Sequence, residues 1–233
     1  MNKTPSILVD TGFEVDQNGV LTEITIPKVV TTLNEPGKVT FMGQTLNWIP
    51  STQAALQELD CPYCTSFPSN LINGYDNLTT VNLPSVTTLS VTTGNNYNIA
   101  ACARLININL NGLTSITCSS GNTFSALSSL GSISLPSLTA ITSSSAVFYK
   151  CGALTNVTMP KLQSSTGVVF HTNTSMTNLQ LGSDGHPVQS LDGGFLYNCT
   201  QAGLTVTIYT NGGASLAGEP WGATNADIEY EEA

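Results

Sequence analysis

Cys61-Pro-Tyr-Cys64 has the spacing of a redox pair or of half a metal site. Either chemistry needs further ligands or a thioredoxin-type surround, yet no second Cys-x-x-Cys follows and the only histidines are His171 and His186. The pair is therefore read as core, because free cysteine packs as a small hydrophobe and both positions are apolar at equivalent places elsewhere in the chain. Asp184-Gly-His186, with abundant serines, offers the parts of a Ser-His-Asp hydrolase. Ser183-Asp-Gly-His-Pro187 is, however, made of residues that turns favour. Asp16-Gln-Asn18-Gly19 is likewise a turn without the remaining oxygen ligands of a calcium loop. Between Asp76 and Asp184 there is no carboxylate at all, which removes the acidic ladder that a solenoid polysaccharide lyase needs. No catalytic residue, metal site or cofactor is assigned.

What makes Cys61 and Cys64 equivalent to other residues is a repeat. The stretch Leu130 to Leu154 gives its template: Leu130-x-x-Ile133-x-Leu135-Pro136-x-Leu138-x-x-Ile141, a polar stretch, then Phe148-x-x-Cys151. Openings fall at Leu56, Leu78, Leu105, Leu130, Leu154, Met176 and Leu204, 22 to 28 residues apart. A period in the twenties with a Leu-x-x-Leu-x-Leu core marks a leucine-rich solenoid. In Ile133-Ser134-Leu135 the alternation is that of a strand with one buried face, and Pro136 ends it for want of an N–H.

Stacked rungs align equivalent residues into columns. The first buried column is Ile24, Leu59, Val81, Ile108, Ile133, Val157, Leu179 and Val206; the second is Ile26, Cys61, Leu83, Leu110, Leu135, Met159, Leu181 and Ile208. Phe124, Phe148, Phe170 and Phe195 form an aromatic column on the far wall, followed by Cys102, Leu127, Cys151, Asn173 and Cys199. Two cysteines of that column are separated by two rungs, about 9–10 Å, which exceeds the usual disulfide Cα separation of about 4.4–6.8 Å. No disulfide is expected within it.

The opposite face of the same strands is polar. Its central column contains Asn82, Asn109, Ser134, Thr158 and Gln180, with Thr25, Asp60 and Thr207 toward the ends. Beside it run Asn107, Ser132, Asn156 and Asn178, with Glu23 and Glu58 before them. Short amides and hydroxyls in regular array suit multivalent contact with a glycan or a protein on a cell surface. Asn82, Asn107, Asn109, Ser134, Asn156, Thr158, Asn178 and Gln180 are the candidate binding residues. The stretches Ser90–Ala101, Ser119–Ala126, Ser143–Val147 and Ser164–Val168 are expected as loops of varying length that share the contact.

Composition narrows the partners. Only 9% of residues are charged, the net charge is −9 and there are six Lys and Arg, so the counterion release that drives nucleic-acid binding is nearly absent. No run approaches the roughly 20 apolar residues of a membrane span, and the first residues have no signal-peptide pattern. Acidic residues gather at both ends, including Asp227, Glu229, Glu231 and Glu232; they discourage end-to-end strand pairing or simply aid solubility.

The run over 130–151 resembles the BspA-like leucine-rich-repeat family of bacterial and protist surface proteins, and the resemblance covers about residues 56–203. The closing Pro220-Trp-Gly-Ala223-x-x-Ala226-x-Ile228-x-Tyr230 resembles the ending of related repeat proteins of gut bacteria and their phages. The resemblance implies a repeat solenoid, a right-handed leucine-rich superhelix with a parallel β-sheet, mostly β and loop with little helix. It also implies a non-catalytic adhesion or recognition role, outside the cell, on its surface or on a virion; a structural part of a phage tail or surface assembly is the alternative. Residues 1–55 are expected to cap the N-terminus with a first partial rung, 56–203 to form the solenoid and 204–233 to cap the C-terminus. A short helix is expected over 50–59.

Overall fold

The computed structural model describes residues 37–233, apart from Met42, Trp48, residues 50–53 and Asn95, together with two short strands nearer the N-terminus. The turns that open at Leu78, Leu105, Leu130 and Leu154 each make three strands. In the turn that opens at Leu130 these are Ser132–Ser134, Ala140–Ser143 and Phe148–Tyr149; the last two pair in parallel with their equivalents in both neighbouring turns, and Ser132–Ser134 with that of the following turn. Three sheets result, here called front, side and back. The front sheet takes its strands from the Ile-x-Leu part of the repeat, with Val157, Leu179 and Val206 in one register. Alternation does the work expected of it: Ile133 and Leu135 are buried, Ser132 and Ser134 exposed.

The side sheet stacks Thr88–Val91, Ser115–Cys118, Ala140–Ser143, Ser164–Thr166 and Ser190–Leu191. The back sheet stacks Ile72–Asn73, Tyr97–Ala100, Asn122–Ser125, Phe148–Tyr149 and Phe170–His171. Three of the four stretches expected as loops, 90–101, 119–126 and 164–168, therefore hold strands of these two sheets. Their Ser and Thr content disguises them, since each strand needs only one or two apolar residues to reach the core. Phe124 stacks on Phe148 with centroids 4.7 Å apart, and Phe148 on Phe170 at 5.0 Å. One continuous apolar core runs between the three sheets from Val39 to Ala223. Among the described residues no helix is long and apolar enough to cross a membrane.

At the back corner of successive turns the chain passes through a left-handed residue: after Gly74, the non-glycine residues Ala101, Ala126, Lys150, Thr172 and Asn198 have φ between 50° and 59°. Their N–H groups then point along the stack, as in Ala126 N–H to the Tyr149 carbonyl at 2.9 Å. A Cβ in that conformation costs roughly 1–2 kcal/mol, and exposed Ala126 gains no packing in return. Ala126→Gly is therefore expected to stabilise the protein by about 0.5–1 kcal/mol after the entropy of the unfolded glycine is deducted. Urea unfolding measures it, and a loss of stability would contradict the corner geometry.

The N-terminal end differs from the sequence reading. The rung before Glu58–Asp60 is Lys38–Thr40, with Val39 opposite Leu59, and buried Phe41 follows it. Glu23 and Ile24 thus do not occupy the columns assigned to them: Leu21–Ile24 pairs antiparallel with Phe13–Val15, while Thr25 and Ile26 lie outside the described residues. Ile24-Thr-Ile26-Pro27 matches the repeat template better than Val39-Thr-Phe41, which lacks the proline. No helix forms over the described part of 50–59, where Ala54 and Ala55 are turn and Glu58 begins a strand; 50–53 lie outside the described residues. At the C-terminus, Ala226–Glu232 adds a seven-residue parallel strand beyond Leu204–Thr210, with Ile228 opposite Val206. Trp221 closes the core beneath it, fully buried, its indole N–H donating to the Ala217 carbonyl at 3.0 Å.

Candidate functional site

The front sheet is interrupted once among the described residues. Lys38–Thr40, Glu58–Asp60, Thr80–Asn82 and Asn107–Asn109 form one part, and Ser132–Ser134 through Ala226–Glu232 form the other. Asn107–Asn109 and Ser132–Ser134 remain neighbours, with Cα atoms within 8 Å, but no ladder joins them. Across the same joint the side sheet pairs Ile116 with Ile141 and the back sheet pairs Phe124 with Phe148. The body is thus continuous on two walls and open on the third.

One column at the start of the front strands reads differently at this joint. Thr79 donates both its N–H and its hydroxyl to the Gln57 carbonyl, at 2.8 and 3.0 Å. Thr155 does the same to Gly131, at 2.8 Å for each, and Thr177 to Thr155, at 2.9 and 3.4 Å. Each threonine therefore clasps the preceding turn. At the interrupted joint the column reads Ile106 and Gly131, and glycine has no hydroxyl to donate to the Ile106 carbonyl. The hydroxyl is an addition to the pairing and not its condition, since Ile106 reaches the Thr79 carbonyl with its N–H alone, at 3.0 Å, and its strand still pairs with Thr80–Asn82; what marks the open joint is that Gly131 makes neither bond.

A groove enclosing about 440 Å³ opens there, lined by Asp60, Asn82, Ile106, Asn107, Asn109, Asn111, Ser132 and Ser134 among others. Ile106 is 51% exposed. Ile108 is only half-buried, although its equivalents Val81 and Ile133 are buried. Along the groove an amide chain runs rung to rung: Asn109 Nδ2 donates to Asn82 Oδ1 at 2.7 Å, and Asn82 Nδ2 to Asp60 Oδ1 at 2.6 Å. The Asn111 N–H holds Asn109 Oδ1 at 3.1 Å. Each NH₂ has two hydrogens, so the chain fixes the side chains and leaves a second donor on each. Glu58, at one end, is paired with Lys38 at 2.9 Å.

The model of the BspA type leucine rich repeat region, in six copies, matches residues 52–177 and 96–211. The chain belongs to the BspA-type leucine-rich-repeat family. No curated protein and no solved structure matches it.

Of the eight candidate residues, this BspA-type protein brings Asn82, Asn107, Asn109 and Ser134 to the groove. Asn156, Thr158, Asn178 and Gln180 lie on Asn156–Met159 and Asn178–Leu181, farther along the front face; Thr158 reaches back toward the groove by donating to Ser134 Oγ at 3.0 Å. Sequence reasoning missed Ile106 and Gly131. The only sequence trace is the Ile-Gly step itself, and it is weak, because the same column also holds Gln57 and Leu204 at joints that close.

The other chemical candidates resolve as structure. All six cysteines carry free, buried thiols, and burial raises the Cys61 and Cys64 pKa values, the opposite of what a redox nucleophile requires. In the cysteine column Asn173 is buried, with its Nδ2 on the Phe148 carbonyl at 3.0 Å and its Oδ1 accepting the Cys151 N–H at 2.9 Å. His186 sits in a tight turn, exchanging backbone bonds with Ser183 at 2.9 and 3.2 Å. On the back corner Tyr149, His171 and Tyr197 form a ring stack at 5.2 and 4.9 Å, away from the groove.

Proposed function

We propose that the protein is a non-catalytic recognition module that binds a glycan or protein on a cell surface through its front face, acting outside the cell or on a virion. One observation supports the reading above others: the front sheet opens into a groove where ordered amides, hydroxyls and an exposed isoleucine meet, while the rest of the molecule is a closed, stiff stack. Membership of the BspA-type family agrees with a repeat protein used for binding. Stiffness fixes the spacing of the polar groups in advance, so ordering them costs little on binding.

The test is flow cytometry of the labelled protein on bacterial and epithelial cells. Saturable binding is expected, reduced at least tenfold by Asn109→Arg, which fills the groove, and unchanged by Tyr197→Ala on the back corner. Binding indifferent to Asn109→Arg would overturn the front-face reading. A fixed oligomer without cell binding would favour the assembly role instead, through the unpaired edge of Ala226–Glu232, where Ile228 and Tyr230 are only half-buried.

A further inference from the structure

We infer that the groove between Asn107–Asn109 and Ser132–Ser134 takes a neutral pyranose glycan, held by its hydroxyls. This rests on the front-face reading above and names the ligand class.

Width is the first constraint. Paired parallel strands lie about 4.8 Å apart, so an inserted peptide strand needs about 9.6 Å between its neighbours. The two strands here are unpaired yet within 8 Å. The opening is too narrow for an added strand, so a ligand can meet it only with small groups such as hydroxyls reaching the strand edges. That argues against a peptide partner binding by strand addition.

Donor and acceptor chemistry is the second. Each facing strand edge presents alternating N–H and C=O groups that have lost their ladder partners. A hydroxyl donates and accepts at once, so one hydroxyl serves both edges. A carboxylate or phosphate only accepts and an ammonium only donates. Asn82 and Asn109 add the free N–H of their amides, and Ser134 a hydroxyl. Ile106 offers an exposed apolar platform against which the C–H face of a sugar ring can lie.

Charge is the third. No Lys or Arg lines the groove, whereas Asp60 and Glu58 do. Sialylated and uronic-acid sugars would meet the Asp60 carboxylate there, and Lys38 is already engaged by Glu58 at 2.9 Å.

Gly131 supplies the decisive variant. Its φ is not in the left-handed range and an added Cβ meets nothing within 4 Å, so Gly131→Thr is accommodated and gives this joint the hydroxyl that Thr79, Thr155 and Thr177 donate at three closed joints, which is expected to draw the two strands together. The full chain is applied to an array of neutral, sialylated and uronic-acid glycans. Neutral glycans are expected to bind, at least tenfold more weakly to Gly131→Thr with no fall in melting temperature, and at least tenfold more weakly to Asn109→Ala, which leaves the groove open. Preference for acidic glycans, or full binding by both variants, would overturn the assignment. Cell binding that depends on Asn109 with no glycan bound would overturn it and leave the recognition reading in place; loss of both would remove the two together.

Discussion

Phe148→Ala is expected to lower the free energy of unfolding by about 3–5 kcal/mol. Phe148 is fully buried and stacks nearly parallel on both neighbours, at interplanar angles of 17° to Phe124 and 11° to Phe170. The hole left by the ring cannot collapse, because backbone ladders on either side fix the spacing of the turns: Phe148 N–H donates to the Val169 carbonyl and Phe124 N–H to the Val147 carbonyl, both at 2.7 Å. In a stack where each turn touches only its neighbours, the loss falls on two interfaces at once. Phe148→Leu retains most of the volume and is expected to lose less, about 1.5 kcal/mol. Urea unfolding of the two variants tests the column, and a loss below about 1 kcal/mol for alanine would mean that the rings do not support one another.

Stability is expected to hold from pH 6 to 8 and to fall steeply above pH 9. Burial, the largest cause in each case, raises the thiols of Cys102, Cys151 and Cys199 from 9.0 to about 11. The unfolded chain therefore releases these protons first as pH rises, the folded chain binds more protons between pH 9 and 11, and stability drops with pH across that window. Each such thiol contributes a slope of about 1.4 kcal/mol per pH unit. Burial shifts Cys61, Cys64, Cys118 and the Tyr75 phenol in the same direction, which steepens the fall. Denaturant midpoints measured from pH 7 to 11 should show it, with a shallower slope in Cys199→Ala. A flat profile to pH 11 would contradict the burial of these groups.

The front and aromatic columns were legible because bulky residues recur there at constant offsets: Val81, Ile133, Val157, Leu179 and Val206 all stand where the repeat puts them. The side and back sheets were not, since strands such as Ser115–Cys118 and Asn122–Ser125 are mainly Ser, Thr and Asn and resemble loops. Lys38–Thr40 escaped because a better-matching Ile-Thr-Ile-Pro lies upstream. At the candidate site, the polar residues could be named from alternation alone. The groove could not, because a template treats all turns alike and gives no sign of which pair of neighbouring strands stays unpaired.

The interruption also sets how the molecule yields under load. At every other joint of the front sheet, arching the body backward must break strand-to-strand bonds; at the Ile106–Gly131 joint none stands in the way, while the side and back walls still tie the two halves together. A pull applied between the ends is thus absorbed first at this seam, which behaves as a hinge in an otherwise rigid rod. Any molecule seated in the seam would stiffen the rod by filling it.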